Sequence, residues 1–365
     1  MHSVGAVIDY LDQFAPSHLA ADWDNVGLLL GDREPRCERV MTCLTLTPEV
    51  AQEAIQANVQ LIVTHHPILF RPVQRLTADT PEGRMLLSLV KAGVAVYSPH
   101  TAFDNTAGGI NDSLARRLGL VEIVALRRRE GPPQCKIVVF VPDSDLTRVS
   151  DAMFSAGAGQ IGEYSQCSFR VSGTGTFFGS EATQPTVGQK GRHEEVSEWR
   201  LEVLCPENLQ ERVIETMRRA HSYEEPAYDV YPLQPASIGE GRLGRLKKSQ
   251  TLEQLAQTTK QVLKAARVQI VGDPSRSVER VALACGAGGE FLMDAVRAKA
   301  DVFLTGEVRF HDYLAAQANG LALVLPGHYA TERFGIEELA DRLHDKFPEL
   351  QVWPSQSESD PVRWV

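Results

Sequence analysis

Two adjacent imidazoles, His65 and His66, stand in Thr64-His65-His66-Pro67 at the end of the apolar run Val59 to Val63. Two further pairs set an imidazole four residues ahead of a carboxylate: His100 with Asp104 in Ser-Pro-His-Thr-Ala-Phe-Asp, and His328 with Glu332 in Pro-Gly-His-Tyr-Ala-Thr-Glu. Each pair follows a short aliphatic or β-branched run, Val94 to Tyr97 and Leu321 to Leu325, that reads as a buried parallel strand. Imidazole nitrogen and carboxylate oxygen together suit Zn, Mn, Fe, Co or Ni, and the set exceeds what one open catalytic ion usually takes from protein. Two divalent ions are the natural reading. Alone, a His pair at a strand end is a structural feature by default, and a His-x-x-x-Asp or His-x-x-x-Glu is a helix surface pair. Their shared place at the carboxyl ends of strands, where ligands collect in open α/β sheets, makes them one site.

Composition narrows the classes. With 365 residues, 43% of them hydrophobic and 23% charged, the chain can build two or three ordinary globular domains. A formal net charge of -10 disfavours an extended nucleic-acid surface, though a metal site could still take one nucleotide. No run approaches the length of a membrane span, and the N-terminal segment has acidic residues where a secretory signal would have a basic start. A cytoplasmic location is expected. Six scattered cysteines without Cys-x-x-Cys read as reduced, mostly buried thiols. The run Arg127-Arg128-Arg129 reads as a solvated loop rather than a phosphate clamp.

The elements that must position the ligands follow from periodicity. An amphipathic helix over Val4 to Phe14 leads to the turn Asp22-Trp23-Asp24-Asn25, whose Asp and Asn are turn formers by default, and then to a short strand. Strand Val40 to Leu46, helix Pro48 to Asn58, strand Val59 to Thr64, helix Pro81 to Ala92, strand Val94 to Tyr97 and helix Ile110 to Leu118 follow, with Gly119 suited to the left-handed turn after a helix. Gly131-Pro132-Pro133 then punctuates a change of grammar. Strand Lys136 to Val141, helix Leu146 to Ala156, strands near Ser165 to Val171 and Gly173 to Phe178, strand Glu198 to Cys205, helix Leu209 to Ala220 and a stretch Ala227 to Pro232 give the β-α-β-β-α-β order of a ferredoxin-like domain. Gly179 to Gly191 reads as a mobile loop between two of its strands.

The α/β alternation then resumes: helix Leu252 to Leu263, strand Arg280 to Cys285, helix Glu290 to Ala298, strand Val302 to Thr305, helix His311 to Ala318, strand Leu321 to Leu325 and helix Glu332 to Leu343. Thr305-Gly306-Glu307 echoes Thr64-His65-His66, and Gly327-His328…Glu332 echoes Pro99-His100…Asp104. The fold class is therefore α/β: two pseudo-symmetric α/β lobes around a dinuclear metal cleft, with an inserted ferredoxin-like α+β domain. The lobes are residues 1–127 and 238–365, and the insertion is 128–237. By the same repeat, Glu307 and His311 face the cleft. Cys285-Gly286-Ala287-Gly288-Gly289-Glu290 lacks the dinucleotide spacing and reads as a tight turn framing the metal cleft.

Trp23-Asp24-Asn25-Val26-Gly27, Thr64-His65-His66-Pro67, Ser98-Pro99-His100-Thr101-Ala102-Phe103-Asp104-Asn105, Thr305-Gly306-Glu307 and Gly327-His328-Tyr329-Ala330-Thr331-Glu332 together resemble the Nif-three-like family, whose bacterial members are labelled GTP cyclohydrolase I type II homologs. The intervening stretch, with His221-Ser222-Tyr223-Glu224-Glu225-Pro226, is similar to the PII/CutA-like insertion of the longer bacterial forms. The resemblance implies two divalent ions per chain, zinc foremost with Fe, Mn, Co or Ni as alternatives, held by His65, His66, Asp104, His328 and Glu332. It also implies a homohexamer with its metal sites facing an inner cavity.

For a catalytic site of this kind, Glu332 is expected to bridge, with His66 and Asp104 on one ion and His65 and His328 on the other. A water acidified between the ions would attack an electrophilic carbon such as C8 of a purine. His100 is the candidate proton donor, or else the group that orients Asp104. The expected activity is hydrolysis of a nucleotide or cyclic amide, with a nucleotide or other small molecule as ligand. The competing reading is a non-catalytic metal-delivery or regulatory protein, favoured by the inserted domain and by the lack of a dedicated nucleophile or lysine base.

Overall fold

Short apolar runs between helices become strands whose two faces are both buried, and this double burial organises the molecule. The computed structural model describes residues 2–130, 133–161, 164–234 and 237–363; Gly131 and Pro132, read above as punctuation, lie outside them. The chain is mixed α/β, with eleven α-helices and several sheets among the described residues. It divides into two compact units, residues 1–129 together with 238–365, and residues 130–237.

The first unit holds two sheets. One has the order Gln351–Pro354, Arg39–Cys43, Leu61–Thr64, Ala95–Ser98, Gly27–Leu30, parallel except for the last strand. The other has the order Gln269–Val271, Ala322–Leu325, Val302–Thr305, Ser277–Ala284, Arg242–Thr251, Leu120–Val124, with its three middle strands Ala322–Leu325, Val302–Thr305 and Ser277–Ala284 parallel. Each sheet thus contains three parallel strands that follow one another in sequence, with a short antiparallel strand that precedes them in sequence at one side; Gln351–Pro354 adds a fourth parallel strand to the first sheet. Register aligns the carboxyl ends: Cys43 pairs with Thr64, and Ala284 with Thr305.

Strand periodicity assigns the faces. Val40, Leu61, Val63, Ala95 and Tyr97 join Val281, Leu283, Val302, Leu304, Ala322 and Val324 in one core cluster, so the inner faces of both sheets share a single interior. The alternate residues Met41, Cys43, Ile62 and Val96 pack under helices Pro48–Gln56 and Pro81–Ala92. On the other sheet Ala282, Ala284, Phe303 and Leu323 pack with Leu292, Ala295 and Ala316. Thr47 and Thr80 cap their helices ahead of Pro48 and Pro81, and Gly93 ends the second helix at φ +70°.

Arg242–Thr251 and Gln269–Val271 escape the periodic reading, and so do two strands that cross between the halves. Leu120–Val124, from the first half, pairs with Arg242–Thr251 in the second sheet, while Gln351–Pro354, from the second half, extends the first sheet beside Arg39–Cys43. Each half lends a strand to the other. Both are edge strands with mixed burial, which gives no clean alternation to detect.

In residues 130–237 one antiparallel sheet has the order Ser168–Phe178, His193–Pro206, Gln134–Pro142, Tyr228–Pro232. Helices Leu146–Ser155 and Gln210–Ala220 pack on one face through Val149, Met153, Val213 and Met217. The two strands expected near 165–171 and 173–178 are one strand, paired from Ser168↔Val203 to Phe178↔His193. Gly173 interrupts the hydrophobic pattern but not the backbone ladder, because it keeps both its N–H and C=O.

Helix His328–Lys346 crosses helix Ile110–Arg117 where Gly335 faces Ile110; a Cβ on Gly335 would lie 2.5 Å from Ile110 Cγ1. Gly335→Ala should therefore lower stability by about 1–2 kcal/mol, overpacking outweighing the roughly 1 kcal/mol gained in helix propensity. Urea denaturation should show the loss, and Ile110→Val in the same chain should recover part of it.

Candidate metal centre

The ligand-type residues stand where the register puts them, just past the carboxyl ends of strands. His65 and His66 follow Leu61–Thr64, with Ser98 Oγ donating to His65 O at 2.7 Å. His328 opens helix His328–Lys346 after Gly327, whose φ of +103° suits glycine, and Glu332 lies one turn later on the same face. His100 opens the six-residue helix His100–Asn105, and Asp104 again lies one turn on.

All five expected ligands converge. Glu332 Oε2 lies 3.0 Å from both His66 Nε2 and His328 Nε2, which are 3.3 Å from each other. His65 Nε2 is 3.5 Å from Asp104 Oδ1 and 3.9 Å from Glu332 Oε1. The geometry thus groups His66 with His328 and His65 with Asp104, rather than His66 with Asp104 and His65 with His328, and Glu332 reaches both groups. Donor atoms of His66, His328 and Glu332, and separately of His65, His66 and His100, lie within 4.8 Å of one another, close enough to hold a metal ion.

Two observations test whether the residues fit such an ion. Both ring nitrogens of His65 are buried without a hydrogen-bond partner, although an unmet buried polar group costs about 1–3 kcal/mol. Gly286, at φ +64°, faces the cluster, and a Cβ there would fall 2.2 Å from Glu332 Oε1 and 3.4 Å from His328 Nε2. A cradle cleared of side-chain atoms beside an orphaned imidazole fits a cation held by nitrogen and oxygen.

Outer contacts set the rings. Thr45 Oγ1 is 2.7 Å from His66 Nδ1, and Thr45 N in turn donates to Glu358, which also accepts from Leu44 N and Arg333. Glu307 Oε1 lies 3.0 Å from His328 Nδ1. These contacts hold the two rings with both Nε2 atoms pointing into the cluster.

Burial pushes His65 well below the usual imidazole range, leaving it neutral. Burial, followed by the charge of Glu332, raises Asp104 to about 7. Glu332 is ionised: burial works against its charge, but hydrogen bonds from His328 and His66 outweigh that. Burial also opposes charge on His328, yet contacts with Glu332 and then Glu307 raise it to about 9.

His100 is close to the cluster, its ring 5.1 Å from that of His65 and 5.8 Å from that of His66, but its Nδ1 bonds Asp24 Oδ1 at 2.7 Å rather than Asp104. It therefore does not orient Asp104 through Nδ1; the thiol of Cys285 lies 3.3 Å from Asp104 Oδ1 instead. Asp24, read above as a turn former, has a fully buried side chain that also accepts from Asn25 N, Thr101 N and Thr101 Oγ1. His100 takes a φ of +26°, a sparsely populated conformation for an imidazole-bearing residue, and this Asp24 network holds it there. Nothing in spacing connects positions 24 and 100.

A cavity of about 510 Å³ opens beside the cluster, lined by Trp23, His66, His100, Asp104, His328 and Glu332 and also by Arg127, Glu290 and Phe291. Arg127 is not a solvated loop residue: it bonds Asp294 and Glu290, pairs with Glu240 and stacks on Phe291 at 4.3 Å. Glu307 joins the site, whereas His311 is exposed on the first turn of helix Phe310–Ala318, beside Phe310.

A mixed α/β chain whose sheet edges gather imidazoles and carboxylates around a site fit for a cation is a candidate metal-binding protein. The Duf34/NIF3 (NGG1p interacting factor 3) family profile matches residues 2–361, and the chain belongs to that family. It is 37% identical over 364 residues to a GTP cyclohydrolase 1 type 2 homolog of Bacillus subtilis (strain 168), covering 98% of each chain. To the protein of the same name from Mycobacterium tuberculosis it is 36% identical over 347 residues, 93% of this chain and 91% of that one. Among solved structures, the Bacillus cereus protein related to NIF3 matches with a TM-score of 0.75 at 35% identity, covering 100% of this chain and 99% of the other. Staphylococcus aureus protein SA1388 matches with a TM-score of 0.80 at 27% identity and the same coverage. No helix among the described residues is long and apolar enough to cross a membrane.

A proton on Asp104 or His328 competes with metal. Since their pKa values are raised to about 7 and about 9, metal affinity should climb as pH rises from 6 to 8, with protons released on binding. Calorimetry in buffers of different ionisation enthalpy should count those protons. Gly286→Ala should keep the fold and bind metal at least about tenfold more weakly, since a 1.4 kcal/mol disturbance of Glu332 suffices for that factor.

Proposed function

We propose that the chain is a metal-dependent hydrolase with two divalent ions, zinc foremost, held by His65, His66, Asp104, His328 and Glu332. One observation carries the reading: imidazoles and carboxylates from both halves meet at a buried His65 whose ring nitrogens have no hydrogen-bond partner. Bound divalent ions supply Lewis acidity and a nucleophile at neutral pH. The chain's own residues do the rest. Glu332 spans the two ligand groups, Thr45 and Glu307 orient His66 and His328, and His100, held by Asp24, is the proton donor facing the cavity.

A small cyclic amide suits the cavity better than a nucleoside triphosphate, because the guanidinium on its wall, Arg127, is engaged by Asp294, Glu290 and Glu240. The proposed assembly is a cytoplasmic homohexamer, with residues 130–237 as a PII/CutA-like sensing or assembly domain inserted between the lobes. The alternative, metal delivery, draws support from the rim: the side chains of His328 and Glu307 are 33% and 60% exposed, placed to pass an ion outward.

Purified without chelators, the protein should hold close to two transition ions per chain, and His66→Ala and Glu332→Ala should lose metal while staying folded, as read by elemental analysis and circular dichroism. With nucleotides and cyclic amides as substrates, His100→Ala should retain both ions and slow turnover about 10²-fold or more. Full metal loading without turnover, combined with transfer of metal to an acceptor apo-protein faster than free ion equilibrates, would replace hydrolysis by delivery.

A further inference from the structure

Residues 130–237 contain a cavity of about 440 Å³ that is separate from the metal centre and has its own chemistry. It lies on the sheet face away from the two helices. Ile137, Val139 and Val141 face the helices, so Phe140 faces the opposite way. Register places Arg200 opposite Phe140 and Gly173 opposite Glu198, which sets Glu198, Gly173, Gly175 and Phe177 on that same face.

The floor is cleared by glycine. A Cβ on Gly175 would fall 2.2 Å from Glu198 Oε2, so the carboxylate lies across a strand position that has no side chain. Two segments raise the walls. Thr186 Oγ1 donates to Ser222 O at 2.8 Å and Gln184 N to Glu224 Oε1 at 3.2 Å, tying the loop after Phe178 to the segment after helix Gln210–Ala220. Buried His221 fixes that second segment, its Nε2 3.0 Å from Phe140 O and its Nδ1 accepting from Tyr223 N at 3.0 Å.

The lining combines four aromatic rings, Phe140, Phe177, Phe178 and Tyr223, with three carboxylates, Glu198, Glu224 and Glu225; among the described residues no Lys, Arg or His lines it. The Tyr223 hydroxyl is buried beside Glu198 and makes no hydrogen bond of good geometry. Burial and then the neighbouring Glu198 push its pKa upward, so it keeps its proton. An anionic ligand would meet three like charges. An uncharged apolar ligand would desolvate those carboxylates without pairing them. A cation gains from both the ring faces and the carboxylates, and the volume suits a small molecule. The protein already sets one cation near this wall, with the Arg200 guanidinium 5.7 Å from the Phe140 ring centre.

We propose that this cavity binds a small organic cation, an ammonium or guanidinium group on a short apolar body, and that Glu198, Phe140, Phe177 and Tyr223 recognise it. Isothermal titration of the full, metal-loaded chain with choline and with agmatine tests this, using 3,3-dimethylbutan-1-ol as the uncharged isostere of choline and ATP as an anionic comparison. At least one of the two cations should bind saturably at one per chain, and the isostere at least tenfold more weakly. Glu198→Gln should weaken the cation at least tenfold and Gly175→Ala should abolish binding, with circular dichroism and metal content unchanged. Tyr223→Phe, which removes only a hydroxyl, should weaken binding severalfold and guards against misfolding of the other variants. His66→Ala should leave cation binding intact. Absence of saturable binding by either cation, affinity insensitive to Glu198→Gln, or ATP binding that Gly175→Ala abolishes would each overturn the proposal.

Discussion

His65 is closed off from water with both ring nitrogens unmet, and a folded chain tolerates such a cost only where something else requires the position. The neighbouring groups share that tension. Asp104 and Glu332 are buried carboxylates beside it, and His66 and His328 point two imidazole nitrogens at the same carboxylate oxygen. Left to themselves, these groups adjust by redistributing protons, with His65 neutral, Glu332 ionised and Asp104 near neutrality. A divalent cation resolves the same conflict with charge.

Such a cluster needs a frame that does not relax around it. The frame is the single interior shared by the inner faces of the two sheets, against which helices Ile110–Arg117 and His328–Lys346 also pack. Because both sheets bury both faces, a slip by one residue would exchange the two sets of side chains and spoil the packing on both sides at once. Thr42 Oγ1 donates to Ile336 O at 3.0 Å, tying the first sheet to the helix that carries His328 and Glu332. Glu358 reaches back to Leu44 and Thr45, so the support for His66 comes partly from residues nearly three hundred positions later.

Much of this was readable in the residues. The parallel strands are continuous apolar runs ended by glycine, proline or histidine, whereas the helix expected from Glu332 starts one turn earlier, at His328, and this earlier start is what sets the i, i+4 pair on one helix face. What escaped was long-range pairing. Asp24 looks like any turn aspartate, and only the fold brings it beneath His100. Leu120–Val124 and Gln351–Pro354 are short, half-exposed edges whose partners lie in the other half. Arg127 sits in an arginine run that solvation explains by default, yet three acidic residues from separate elements surround it. Of the two residues the repeat set at the cleft, Glu307 contacts His328, whereas His311 lies exposed on the helix that follows.

The exchanged edge strands also bear on how the protein is made. As the chain leaves the ribosome, residues 27–98 can begin to collapse as one half, but their sheet lacks its outer strand until 351–354 have emerged, and the partner sheet must borrow 120–124 from the half already made. His65, His66 and Asp104 therefore wait, exposed, for His328 and Glu332. Early capture of a stray ion by this partial set would be incomplete and reversible, whereas the finished centre closes only when both halves have interlocked. Topology thus completes the candidate ligand set only late in biosynthesis.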